Sequence, residues 1–139
     1  MKKSILILFS LFTFSIAFTQ GNNLQFNQVL NLDFSSTCNT AYTWSSAGTF
    51  TVYPNKVLKI TSCSAFGTDA NSYYNVSESS MKIGNKLVYN YVANAPAGPE
   101  MPIWLESGTY TVYLYGRSNN TAAKYLKGSI SAVEFNVVQ

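Results

Sequence analysis

Apolar and polar residues alternate with a period of two along most of this chain after its first twenty positions, the pattern of strands with one buried face. The clearest case is residues 109–115, where Tyr110, Val112 and Leu114 share one parity and Thr109, Thr111, Tyr113 and Tyr115 the other. β-Branched and aromatic residues on both parities predict a strand with a core face and a tyrosine-bearing outer face. Residues 24–34 alternate over a longer span, with Leu24, Phe26, Leu30, Leu32 and Phe34 inward. Gln28 and Val29 break that parity, which predicts a bulge or a polar inward contact. Residues 49–53 follow with Phe50 and Val52 inward, then residues 57–66 with Leu58 and Ile60 inward. On the same count Cys63 faces away from Ile60. Residues 86–92 carry apolar side chains on both parities, which predicts a central or doubly covered strand. Shorter strands are expected at 73–76, 81–83 and 124–127. The last, 131–138, places Val133, Phe135 and Val137 inward.

Turn chemistry separates these runs. Pro54-Asn55 and Gly84-Asn85 read as tight connections, and residues 35–41, 45–48, 93–100 and 116–121 as turns or loops, with a bend at Gly128. No segment with a 3.6-residue period runs beyond two turns after the first twenty positions. An all-β chain of about eight strands, folded as an antiparallel, jelly-roll-like β-sandwich, is the architecture this pattern predicts.

The first nineteen residues belong to a different pattern. Met1-Lys2-Lys3 is a short basic start, residues 4–18 are uncharged and mostly apolar, and Ala17 and Thr19 are small residues three and one positions before Gln20. These are the parts of a secretory signal peptide cleaved before Gln20, or alternatively after Ala17. The expected organisation is a signal peptide at 1–19 and one β-sandwich domain at 20–139, secreted to the cell exterior. The apolar run falls short of the roughly 20 residues of a bilayer span, so no membrane span is expected after cleavage. Loss of Lys2 and Lys3 leaves seven basic groups against six acidic ones, a net charge of +1. That balance provides no footprint for a polyanion and excludes nucleic acid as a partner.

Two cysteines in an exported chain usually pair, so Cys38 and Cys63 are expected to form a disulfide. On the chain-entropy account it would contribute about 3.5 kcal/mol.

Three segments together are familiar: residues 23–30, NLQFNQVL; residues 102–105, PIWL, followed by Ser107-Gly108-Thr109; and residues 130–136, ISAVEFN. This layout resembles a group of small secreted bacterial proteins with a jelly-roll-like β-sandwich and no assigned activity. The resemblance covers most of the chain after the leader. It implies the fold and carries over no catalytic residue.

Candidate chemistry is narrow. The chain contains no histidine, which removes histidine-based nucleophilic systems, histidine metal sites and the usual general base. No enzymatic activity, cofactor or metal is expected. Glu100 and Glu106 flank residues 102–105 as a carboxylate pair of the glycosidase kind, but both adjoin turn residues and should be solvated. Asp33, Asp69 and Glu78 lack the dense spacing of a calcium loop and read as scattered solubilising charge. Asn75 and Asn119 head N-glycosylation patterns. The aromatic surface is the better candidate: Tyr113 and Tyr115, with Tyr53, Tyr89, Tyr91 and Trp104, could offer flat rings with a polar handle to a ligand or an interface. The leading expectation is a secreted, non-catalytic module that acts by surface contact, through protein interaction or self-assembly into a homo-oligomer. The alternative is a carbohydrate-binding module for an extracellular polysaccharide. A small carboxylate-dependent hydrolase is the third and weakest. Partners are accordingly a protein or a glycan at the cell exterior.

Overall fold

The structure, a computed structural model, describes residues 23–38, 43–69, 78–92, 101–117 and 124–138. The expected leader, the strand at 73–76, the loop at 93–100 and both glycosylation patterns lie outside these residues. Among the described residues eight strands are formed: β1 (Asn23–Cys38), β2 (Ser45–Val52), β3 (Lys56–Asp69), β4 (Glu78–Ile83), β5 (Lys86–Val92), β6 (Ile103–Leu105), β7 (Gly108–Arg117) and β8 (Lys124–Val138). All pair antiparallel, in a first sheet ordered β1-β8-β3-β6 and a second ordered β2-β7-β4-β5.

That order has a simple origin. The pairs β1 with β8, β2 with β7, β3 with β6 and β4 with β5 are those of one long hairpin with its tip at Gly84-Asn85. Rolling the hairpin lets β8 also pair with β3 and β7 with β4, which divides it into two four-stranded sheets. The result is the jelly-roll order, and the all-β antiparallel β-sandwich expected from the alternation is the fold observed. At the tip Gly84 takes φ 58°, a left-handed conformation that glycine adopts without steric cost. Its amide donates to the Thr111 carbonyl at 2.8 Å and ties the tip to β7.

The two inner faces bury one core. The first sheet contributes Phe34, Leu58, Ile60, Ala65, Leu126, Ile130 and Ala132; the second contributes Val52, Met81, Ile83, Val88, Val112 and Leu114. The reading of residues 109–115 therefore holds: Val112 and Leu114 are wholly buried, and Tyr110 stacks on Phe50 with centroids 5.5 Å apart. Gly128 lies mid-strand in β8 where the sheets approach closely. A Cβ there would fall on Met81 Cε and within 2.8 Å of Leu114 Cδ2.

Six expectations are corrected. β8 runs unbroken through Gly128, and its inner parity is Leu126, Gly128, Ile130, Ala132 and Glu134, so Val133, Phe135 and Val137 face outward. The strand centre decides this: Lys127, Ser129 and Ser131 on the other parity resist burial, and one unbulged strand has one inner face. Leu24 and Phe26 turn outward with them, because β1 shifts register between Phe26 and Gln28; the bulge predicted from Gln28 is present. β3 shifts register between Ile60 and Ser62, which returns Cys63 to the core side with Ile60. β5 is the edge strand of the second sheet, not a central one, and residues 45–48 are strand rather than turn.

Candidate functional site

Tyr113 and Tyr115 stand on the outer face of β7, as the alternation implies, but neither forms an open platform. Tyr113 is registered between Ser46 and Lys82, and Tyr115 beside Ser80. The Trp44 ring lies against Tyr115 at 5.3 Å, and Lys82 Nζ sits 4.0 Å over Trp44. The other tyrosines are dispersed. Tyr89 is registered with buried Met81 and packs against the core; Tyr91 is registered with Ser79 on that same side, exposed at the sheet edge. Tyr53 projects from the turn between β2 and β3.

Trp104 belongs to a different surface, the outer face of the first sheet. There the register lines up Phe26, Phe135 and Val57 in one row, Val29, Val133, Lys59 and Trp104 in the next, and Leu24 with Val137 beyond. Exposure is 63% for Phe26, 62% for Val29, 50% for Trp104 and 44% for Leu24. The Trp104 and Phe135 rings are 5.8 Å apart, and Lys59 Nζ lies 5.4 Å from the Trp104 centroid. Strand spacing and rise give the patch an extent of roughly 15 by 20 Å, or about 300 Å². Patches of that size on a single chain are often functional.

The remainder of this outer face is polar. Ser131 Oγ donates to Asn31 Oδ1 at 3.0 Å, Thr61 Oγ1 donates to the Ser131 carbonyl at 3.0 Å, and the Ser64 and Ser129 hydroxyls are 2.8 Å apart. Beside them Asp33, Ser35, Phe66, Lys127 and Ser129 line a hollow of about 420 Å³.

At the far end of β8, Glu134 turns inward with 5% of its side chain exposed. Its Oε1 takes an ion pair from Lys56 Nζ at 2.7 Å and hydrogen bonds from Gln28 Nε2 at 3.0 Å and from Asn27 Nδ2. Burial pushes its pKa up, and the hydrogen bonds from Lys56, Gln28 and Asn27, with the Lys56 charge, more than reverse this to hold it below the ordinary 4.5. The β1 bulge puts Asn27 and Gln28 in position to do so. At the opposite end Lys124 is fully buried, registered between Cys38 and Asp69.

The expected disulfide does not form. Cys38 is registered with Lys124 and Cys63 with Ile130, on opposite sides of β8. Six positions of strand amount to about 20 Å, far beyond the roughly 7 Å limit between bonded cysteine Cα atoms. Both residues stay as thiols, and burial pushes the Cys63 thiol up to about 11.

The carboxylates do not assemble. Glu106 is exposed between β6 and β7, its carbonyl accepting from Tyr110 Oη at 2.9 Å, while Glu100 lies outside the described residues. Asp33 and Glu78 occupy different sheets, and Glu78 pairs with Arg117 at 2.7 Å. Among the described residues no three His, Cys, Asp or Glu side chains come together, and no helix is long and apolar enough to cross a membrane. Comparison with protein-family models, curated proteins and solved structures returns no match for this chain.

Trp104 is the one predicted site residue in the apolar patch. Alternation alone points Phe26, Val133 and Phe135 inward, and the legible signal against it is the polar run Lys127, Ser129, Ser131 on the parity of Val133 and Phe135.

Proposed function

We propose that this chain is an exported, non-catalytic β-sandwich module that works by surface contact, made by the outer face of the first sheet against a protein surface. The apolar patch around Phe26, Val29, Trp104 and Leu24 carries the reading. Leaving such side chains in water forgoes roughly 25 cal/mol for each Å² that burial would cover. Valine and leucine offer nothing to sugar hydroxyls, so this patch suits a protein partner. Its polar surroundings match the rim of an interface with an apolar centre. Three strands, each roughly 4.8 Å wide, run along the 15 residues of β8 and the three-residue β6 adds a fourth at one end, a face of roughly 700 Å². That approaches the roughly 800 Å² each partner contributes to a standard interface. A second copy of the chain presents the same chemistry and size and is the occupant we favour.

Sedimentation velocity across a wide concentration range tests this. The protein should dimerise as concentration rises, and Phe26→Ser with Trp104→Ser should remain monomeric with little change in thermal unfolding. A wild-type protein that stays monomeric throughout would rule out self-assembly. Export rests on the leader at 1–19, and a mature mass starting at Gln20 is the expected check.

A further inference from the structure

The polar part of the same face holds a feature that the apolar patch does not use. Ser129 and its neighbour Ser64 are short, so the sheet surface is low there, while Asp33, Phe66 and Lys127 stand around it. The hollow of about 420 Å³ falls within the roughly 300–1,000 Å³ of small-molecule sites. Register sets its chemistry: Asp33 lies beside Ser129, Lys127 between Ser35 and Phe66. Asp33 and Lys127 are on adjacent strands two positions apart, a diagonal of about 7–8 Å. Among the described residues neither makes an ion pair or side-chain hydrogen bond, so both are available to a ligand. Phe66 is more than half exposed, as is Tyr125 on its own diagonal.

These groups select a ligand class. The Asp33 and Lys127 charges cancel, which favours neither a polyanion nor a cation. A carboxylate accepts hydrogen bonds while an ammonium and serine hydroxyls donate them, so the matching ligand must do both at several closely spaced positions. The exposed Phe66 ring adds a flat apolar wall. A pyranose has both parts, a rim of hydroxyls and a C–H face. We propose that this hollow binds a neutral saccharide. Asp33 accepts from adjacent hydroxyls, Lys127 and Ser35 donate to sugar oxygens, the C–H face rests on Phe66, and a further unit extends toward Tyr125.

The hollow lies on the same face as the apolar patch but shares none of its residues, so at concentrations where the protein is monomeric either proposal can fail alone. The test is an amide chemical-shift titration of the protein with neutral oligomers of glucose, galactose, mannose and xylose, alongside anionic oligogalacturonate. At least one neutral oligomer should shift the amides of Ser35, Phe66, Lys127 and Ser129. Asp33→Asn and Phe66→Ala, both surface changes, should each weaken that binding by about tenfold or more, and Trp104→Ser should leave it unchanged. The proposal is overturned if no neutral oligomer shifts these amides, if oligogalacturonate binds there more tightly, or if binding survives both hollow substitutions.

Discussion

A carboxylate almost out of contact with water stays ionised at the end of β8 because three donors converge on one of its oxygens. For Glu134 burial is the largest influence and opposes the charge, yet Lys56, Gln28 and Asn27 together hold its pKa below 4.5. A folded-state pKa below the unfolded one contributes stability that is fully present above the unfolded value and disappears as pH falls through the folded value. The urea midpoint should therefore drop as pH is taken below about 4.5, and Glu134→Gln, which has no proton to take up, should flatten that drop. An unchanged acid slope in the variant would assign the acid sensitivity to other carboxylates. Half of this network was legible in the sequence: Gln28 broke the parity of its strand and so announced an inward polar contact. Its partner was not, since Glu134 sits between Val133 and Phe135, and local alternation points it to solvent.

Strands were easier to recognise than their faces. Alternation located most of the strands among the described residues, because β-branched and aromatic runs bounded by Gly, Pro and Asn have few other folds open to them. It failed wherever an extra residue reset the count, as at the shifts near Asn27 in β1 and Thr61 in β3. One residue of slip exchanges the two faces of everything beyond it. Cys63 is the clearest consequence: the bulge turns it into the core, and the register of β1 and β3 on β8 keeps it six positions from the level of Cys38. Unfolding without reductant should expose two thiols to a maleimide, read as two adducts by mass. In the native state labelling at Cys63 should be slow at neutral pH and quicken as pH rises, because a thiol raised to about 11 holds little thiolate at pH 7. Unfolded protein that takes no label without reductant would mean that the cysteines are bonded and the strand register differs.

The roll of the whole hairpin gives the molecule two unlike outer faces. On the second sheet Trp44, Tyr115 and Lys82 cover one another, and Arg117 is paired with Glu78, so that face is largely satisfied within the chain. On the first sheet Phe26, Val29 and Trp104 remain in water beside a polar field that holds Asp33 and Lys127. The difference follows from β8, which is central in the first sheet and whose polar middle forces its apolar C-terminal end outward along with its neighbours on β1 and β3. A contact made by such a face should respond to salt as an apolar contact does. Sulfate, excluded from protein surface, strengthens effective burial, whereas simple screening weakens contacts between exposed charges. Self-association measured by light scattering should therefore tighten in sodium sulfate and hold steady in sodium chloride of equal ionic strength. Dissociation in chloride would transfer the contact from the apolar patch to Lys59, Lys127 and Asp33.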